Sequence, residues 1–150
     1  MRALEKYAVR CGGGVNHRMS LSDAALVKDN HIVAAGGVTE AFAAVRAAAP
    51  SIVLEIEVDT IDQLRTALAA GADLVLLDNM KPDVLREAVA IAAQHLASTG
   101  RAVVLEASGG LTLENAQSVA ATGVNYISVG ALTHSAKVLD IGLDLETIVA

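Results

Sequence analysis

Residues 52–79, IVLEIEVDTIDQLRTALAAGADLVLLDN, decide the fold that the sequence predicts. Val, Ile and Leu dominate a run at each end of this stretch, and both runs are too short for helices and typical of buried strands. Between them, Thr60 begins a helical segment, Gln63 completes a capping box three residues later, and Gly71 ends it. The stretch therefore predicts a strand, a helix and a second strand.

The same alternation extends along most of the chain. We predict strands at 24–29, 52–59, 74–78, 102–107 and 126–129, and helices at 4–11, 39–49, 60–70, 82–96 and 112–122. Thr39 and Thr112 are predicted N-caps. Such alternation implies a parallel sheet with right-handed crossovers. Because a complete eightfold barrel needs ~250 residues, two α/β folds remain open: an incomplete, open barrel and a doubly wound sheet of about five strands.

Composition limits the classes of function. The 150 residues are 53% hydrophobic and 19% charged with a net charge of -6, which indicates one globular domain and excludes disorder. Only 2% of residues are aromatic and there is no basic stripe, so we expect no nucleic-acid partner. The single cysteine fits a reducing compartment. Neither a signal peptide nor an apolar run near ~20 residues is seen, so we expect a cytoplasmic protein without a membrane partner.

Charged side chains alternate along the predicted strand 52–59. Glu55, Glu57 and Asp59 share one of its faces and apolar residues share the other. Buried carboxylates need cationic or metal partners, since an isolated one costs several kcal/mol of desolvation. Lys28, directly after the apolar run 24–27, is the expected partner. Because a turn there needs only one Asp or Asn, we interpret the rest of the polar run 28–31 as ligand contacts.

Each predicted strand becomes polar at its carboxyl end. In parallel α/β folds these ends share one edge, where ligands bind. We therefore predict that Lys28, Glu57 and Asp78 belong to one site. The alternative for single residues such as Asn79 or Asp59 is a local role as a cap or turn former.

Two further groups indicate anion binding. Ser108, Gly109 and Gly110 follow one predicted strand, and residues 128–131, with His134 behind them, follow the next. Backbone N–H groups at such positions bind phosphate, although glycines after strands are also common turn formers. Arg18 can hold a carboxylate through two parallel hydrogen bonds, with His17 beside it, unless the two are a surface pair.

The motifs in this order resemble those of the quinolinate phosphoribosyltransferase family, the carboxylating nicotinate-nucleotide pyrophosphorylases of NAD biosynthesis. They are RALEKYAV at 2–9, GGGVNHR at 12–18, KDNH at 28–31, EIEV at 55–58, LDNM at 77–80, EASGG at 106–110 and SVGALTHS at 128–135. The resemblance implies an incomplete, open, TIM-barrel-like parallel α/β barrel. It also implies that residues 1–150 are the C-terminal barrel domain, without the N-terminal domain of the family.

The resemblance implies a reaction and its residues. Quinolinate and phosphoribosyl pyrophosphate, with Mg2+, would give nicotinate mononucleotide, CO2 and pyrophosphate. Lys28, Glu57 and Asp78 would be catalytic, and Glu57 and Asp78 would meet the ribose hydroxyls and Mg2+. The pyridine dicarboxylate would be held by His17, Arg18 and Lys28, and the 5'-phosphate by Ser108, Gly109, Gly110, Gly130 and His134.

The sequence departs from the family at its start. A Thr-Arg-Lys-Thr motif and an N-terminal domain that supplies an arginine to a neighbouring subunit are not in it. Because each lost charge-assisted contact costs ~1.5–3 kcal/mol, we expect the chain alone to be inactive or very slow. We also expect a homo-oligomer, as in the family's dimers. The alternatives are an inactive phosphate-binding barrel fragment and a relative associated with molybdenum transport.

Overall fold

The computed structural model describes residues 1–145 and contains one parallel sheet with helices between its strands. The strands are β1 (Ala25–Val27), β2 (Leu54–Val58), β3 (Leu74–Asp78), β4 (Val104–Ser108) and β5 (Tyr126–Ile127). The helices are α1 (Arg2–Cys11), α2 (Asp29–Ala35), α3 (Val38–Ala48), α4 (Ile61–Ala70), α5 (Pro82–Thr99), α6 (Leu113–Ala120) and α7 (Ala131–His134). Within this part of the chain, no helix is both long and apolar enough to cross a membrane.

Strand order distinguishes the two folds that the sequence left open. Each strand pairs in parallel with the next one along the chain, in the order β1-β2-β3-β4-β5. A doubly wound sheet reverses its strand order at a switch point, and this sheet does not. Right-handed crossovers to successive neighbours place the connecting helices on one side of the sheet. The open α/β barrel is therefore confirmed, and the doubly wound alternative is wrong.

The two faces of the sheet differ in chemistry because side chains alternate along each strand. One face packs against the helices, and its side chains, such as Ile56, Val75, Leu77 and Leu105, are almost fully buried. We call the opposite face the inner face. Its side chains come from Leu26, Lys28, Glu55, Glu57, Leu74, Leu76, Asp78, Val104, Glu106, Ser108, Tyr126 and Ser128. The polar alternation predicted for strand 52–59 is thus confirmed for Glu55 and Glu57, whereas Asp59 lies beyond the end of β2.

Two short helices were not predicted. The first strand was predicted to run to residue 29. In the structure β1 ends at Val27, and α2 begins at Asp29. Gly36 ends α2 with φ 89°. None of the residues of α2 is buried, and the sequence therefore has no apolar periodicity there that would predict a helix. The second helix, α7, spans four residues, which is also too short for a period to appear.

The caps were predicted with mixed success. Thr60 is the N-cap of α4, where its Oγ1 accepts the Gln63 N–H at 3.2 Å while Gln63 Oε1 accepts the Thr60 N–H. Thr112 likewise caps α6. The prediction for Thr39 is wrong: Gly37 is the N-cap of α3, which already begins at Val38, because burying Val38 against the core sets the start of the helix two residues earlier.

This difference between the two threonines can be tested. Thr60→Ala removes a capping acceptor, so we expect the free energy of unfolding to fall by ~1 kcal/mol. Thr39→Ala is the matched control, since this exposed residue lies inside the first turn and alanine is the better helix former. Chemical denaturation of the two variants measures the difference. Equal losses at both positions would contradict the assigned caps.

Candidate active site

Lys28 lies at the junction of β1 and α2, on the inner face. Its Nζ is 3.4 Å from Glu57 Oε2, and the Glu57 side chain is largely buried while that of Lys28 is half exposed. The backbone N–H of Lys28 donates to His31 Nδ1 at 2.9 Å, and the Asn30 N–H donates to Asp29 Oδ1 at 2.7 Å. Asp29 and His31 therefore have local roles at the start of α2, and the expectation that this polar run also contacts a ligand stays a prediction.

Asp78 ends β3 on the same face. The Asn79 side-chain amide donates to Asp78 Oδ2 at 2.6 Å, and the Asn79 backbone N–H donates to Ser108 O at 2.9 Å. Asn79 has φ 52°, the only positive φ among the non-glycine residues of 1–145. Asparagine tolerates this conformation better than most residues. The turn thus orients the Asp78 carboxylate and ties the end of β3 to β4.

The glycines after β4 have distinct surroundings. Gly109 has φ 90°, and a Cβ there would collide with the side chain and backbone of Asn79. Gly110 has φ 59° and open space around it, and its carbonyl accepts the Asn115 side-chain N–H at 2.9 Å. The loop leading to α6 is therefore bare backbone, packed on one side against the Asn79 turn.

The loop after β5 lies at the carboxyl end of that strand, as the glycine loop does at the end of the neighbouring strand β4. The His134 ring lies against Gly130, and a Cβ added to Gly130 would lie 3.0 Å from His134 Nε2. His134 Nδ1 is 2.7 Å from Ser135 Oγ. The fold thus brings the two predicted phosphate-binding segments to adjacent strand ends, because β4 and β5 are neighbours.

The segment after α1 lies over the inner face. His17 Nε2 is 3.1 Å from Glu55 Oε2 and 3.7 Å from Glu106 Oε1. Lys6 Nζ donates to the carbonyls of His17 and Arg18 at 2.7 and 2.9 Å, and Arg18 Nη1 donates to Ala24 O at 2.8 Å. The His17 ring therefore faces two carboxylates, while the Arg18 side chain is held by the residue that precedes β1.

Glu55 and Glu106 were not predicted as site residues, although Glu55 lies on the charged face predicted for strand 52–59. Only 3% of Glu55 and 6% of Glu106 is exposed. Burial raises the pKa of Glu55, the negative charge of Glu106 raises it further, and His17 and Arg18 oppose the shift. Their proximity depends on strand order, since β2 and β4 flank β3, and no local pattern shows it.

Cavity shape does not identify the site. A surface hollow of about 460 Å³ is lined by Thr39, Arg65, Thr66, Ala69 and Ala70, on α3 and α4. These helices pack on the outer face of the sheet. The inner face carries the convergent charges, so we assign the candidate site there on chemical grounds.

The contact between Gly109 and Asn79 can be tested. Gly109→Ala adds a Cβ at positive φ and drives it into Asn79, whereas Gly110→Ala adds one at positive φ into open space. We expect ~1–2 kcal/mol of destabilisation for Gly110→Ala from the left-handed backbone alone, and a larger loss for Gly109→Ala. Thermal unfolding and the NMR signals of the Asn79 side-chain amide measure both effects. A Gly109→Ala variant as stable as Gly110→Ala would contradict the packing described.

Comparison with known proteins identifies the family of the chain. Residues 1–144 match the family model described as quinolinate phosphoribosyl transferase, C-terminal domain. The Mycobacterium leprae nicotinate-nucleotide pyrophosphorylase (carboxylating) is 55% identical over 145 residues, which are 97% of this chain and 50% of the relative. The human protein of the same name is 42% identical over 145 residues, 96% of this chain and 48% of the relative.

Solved structures show the same likeness. The nicotinate-nucleotide pyrophosphorylase from Ehrlichia chaffeensis superposes with a TM-score of 0.87 at 40% identity, covering 97% of this chain and 50% of that one. The one from Francisella tularensis gives a TM-score of 0.80 at 45% identity, covering 88% and 45%. The chain thus spans about half the length of the relatives it matches. It belongs to the quinolinate phosphoribosyl transferase family, in the part that corresponds to that family's C-terminal domain.

Proposed function

We propose that this chain carries the catalytic centre for phosphoribosyl transfer from phosphoribosyl pyrophosphate to quinolinate, with decarboxylation to nicotinate mononucleotide in NAD biosynthesis. The observation that carries the proposal is the Lys28–Glu57 ion pair, on the inner face with Asp78, in a member of this family. The relatives are named carboxylating nicotinate-nucleotide pyrophosphorylases, and this name describes the proposed reaction in the reverse direction.

Recognition of quinolinate requires cations, since the substrate is a dianion. Lys28 offers a half-exposed ammonium group that forms an ion pair with Glu57. His17 and Arg18 are the other proposed contacts, and they lie on the segment that crosses the inner face. In the structure Arg18 Nη1 donates to Ala24 O, so we propose that its remaining guanidinium N–H groups bind a substrate carboxylate.

Bond exchange at the ribose requires anions. As the C1'–O bond to pyrophosphate breaks, positive charge develops on the sugar, and the quinolinate nitrogen forms the new C1'–N bond. Carboxylates fixed beforehand near this charge stabilise the transition state, which is the role we propose for Glu57 and Asp78. The 2-carboxylate of the quinolinate mononucleotide so formed then leaves as CO2, the electron pair of the broken C–C bond stays on C2 beside the cationic ring nitrogen, and a proton binds there to give nicotinate mononucleotide.

The donor chemistry of this face fits Mg2+. Glu57 and Asp78 supply carboxylate oxygens from neighbouring strands, and Mg2+ commonly binds to one or two protein carboxylates together with substrate phosphates. When bound, the ion would neutralise the charge of the pyrophosphate group. Lys28 contacts Oε2 of Glu57, and the same carboxylate has a second oxygen to offer.

The loops after β4 and β5 are the proposed cradle for the 5'-phosphate. Ser108, Gly109 and Gly110 offer a hydroxyl and exposed backbone beside α6, and Gly130 and His134 offer the equivalent from the next strand. The absence of side chains at the glycines lets a phosphate approach the N–H groups closely. The two loops would thus hold the sugar-phosphate end of the substrate.

An oligomer is part of the proposal. On α1, Leu4 is 67% exposed and Tyr7 is 64% exposed, and α1 buries no residue within the described chain. Apolar side chains so placed on one helix favour contact with another protein surface. We propose a homo-oligomer, in keeping with the sequence-based expectation.

The role of Lys28 can be tested in a coupled assay. Nicotinate mononucleotide formation from quinolinate, phosphoribosyl pyrophosphate and Mg2+ is measured for the chain, for Lys28→Ala and for the control Arg86→Ala. Lys28→Ala removes one charge-assisted contact of ~1.5–3 kcal/mol, so we expect kcat/KM for quinolinate to fall by about 10- to 150-fold. Arg86→Ala removes an exposed cation on α5 and should leave kcat/KM unchanged. Unchanged kcat/KM in Lys28→Ala would overturn this role.

Binding gives an independent measurement if turnover by the chain alone is too slow. Thermal unfolding is followed with quinolinate and, separately, with inorganic phosphate. We expect both ligands to raise the unfolding temperature of the chain, and quinolinate to lose its effect in Lys28→Ala while phosphate keeps it. Stabilisation by phosphate with no response to quinolinate would instead indicate a phosphate-binding fragment.

A further inference from the structure

The segment between α1 and β1 receives little support from its own backbone. Among residues 1–145, no backbone–backbone hydrogen bond involves residues 15–18, which also lie outside every helix and strand. Backbone polar groups that secondary structure does not pair need side chains or water as partners. The location of His17 and Arg18 over the inner face therefore depends on side-chain contacts.

Lys6 supplies two of these contacts from α1. Its Nζ donates to His17 O at 2.7 Å and to Arg18 O at 2.9 Å. An ammonium group has three N–H donors on one compact charge, so a single lysine can hold two successive carbonyls. Hydrogen bonds from an ionised donor are also roughly twice as strong as those between neutral groups. The two bonds thus tie the backbone of the segment to α1.

Asn16 makes the contact reciprocal. Its Nδ2 donates to Lys6 O at 3.0 Å, and this carbonyl can accept the bond because a carbonyl oxygen has a second lone pair besides the one used within the helix. The helix and the segment therefore each use a side chain to bind the backbone of the other. We call Lys6 and Asn16, with these three hydrogen bonds, the α1 latch.

The α1 latch determines the position of side chains that it does not touch. While the backbone is held, the His17 ring lies 3.1 Å from Glu55 Oε2, and Arg18 Nη1 donates to Ala24 O at 2.8 Å. Ordering a loop costs conformational entropy, and a loop that is ordered beforehand spares its ligand that cost. A ligand that binds Arg18 thus finds the segment already in place.

We propose that Lys6 and Asn16 are positioning residues, which order residues 16–18 from α1 so that Arg18 can bind a carboxylate of the substrate. Lys6 acts through Arg18 and not by contact with the substrate, since its ammonium group is engaged with the two backbone carbonyls. The inference rests on the proposed function in one respect, the identity of that substrate as quinolinate.

The first experiment measures backbone order by 15N NMR relaxation and needs neither ligand nor activity. Lys6→Met removes the donors while keeping an unbranched side chain of similar helix propensity. Asn16→Ala removes one hydrogen bond, because Asn16 Oδ1 has no hydrogen-bond partner among the described residues. Arg10→Met is the matched control, since Arg10 is an exposed cation on the same helix.

We expect the wild-type chain to be ordered at residues 15–18. The heteronuclear NOE of these residues should fall in Lys6→Met, fall less in Asn16→Ala, and stay unchanged in Arg10→Met. Lys6→Arg keeps a charged donor and should recover part of the order. Wild-type order in both Lys6→Met and Asn16→Ala, or a mobile segment in the wild-type chain, would overturn the proposal.

The second experiment is a double-mutant cycle between Lys6 and Arg18, measured with the active protein in the coupled assay. We expect Lys6→Met to raise the KM for quinolinate about tenfold with a smaller change in kcat, because it weakens binding and leaves the reacting groups in place. In an Arg18→Ala background the same change should raise KM by about twofold or less, since the contact that it supports is already lost. Equal fold-changes in both backgrounds would show that Lys6 acts independently of Arg18 and would overturn the proposal.

The two experiments distinguish a failure of this inference from a failure of the proposed function. A wild-type protein with neither turnover nor stabilisation by quinolinate would contradict the proposed function. The NMR measurement would then still decide whether the α1 latch orders the segment. Normal turnover in wild type, together with an unchanged KM in Lys6→Met, would contradict the positioning role alone.

Discussion

The consecutive strand order is the constraint on which the rest of this structure depends. Because each strand pairs with the next, the crossover helices of residues 1–145 pack on one face and leave the inner face free of them. A face that the crossover helices leave uncovered can keep polar side chains in reach of solvent and ligands. The register places Glu57, Leu76 and Glu106 in one row and Asp78 beside Ser108 in the next, so residues far apart in sequence converge without any long loop.

Buried charge determines how this face is organised. Glu57 has an ammonium partner, Lys28, which directly follows the neighbouring strand β1. Glu55 is only two residues earlier on the same strand but lies deeper, where His17 reaches it from the segment after α1. The two positions differ in their partners: Glu57 is paired with an ammonium group, whereas burial raises the pKa of Glu55, whose carboxyl group contacts the His17 ring. One strand thus presents an ion-paired carboxylate near the carboxyl edge and a more deeply buried carboxyl group beneath it.

Much of this arrangement could be predicted from the sequence, because it depends on local periodicity. The alternation in residues 52–59 predicted which carboxylates share a face, and the capping box of Thr60 predicted where α4 begins. The resemblance to the family selected the open barrel, which periodicity alone left unresolved. The short helices α2 and α7 were not predicted because a helix of one or two turns shows no apolar periodicity. The proximity of Glu55 and Glu106 was not predicted because it depends on strand order, which no local pattern specifies.

Asn79 shows how a local conformational cost can organise a site. Its positive φ is unfavourable for a side-chain-bearing residue, and the fold offsets this with a backbone hydrogen bond to Ser108 and close packing against Gly109. Both partners belong to the proposed phosphate loop, whereas the Asn79 amide binds the proposed metal ligand Asp78. The turn therefore links the part of the face that would hold the phosphate to the part that would meet the ribose. A rearrangement of either loop would have to disturb the other, which makes the spacing between the two subsites a property of the β3–β4 pair.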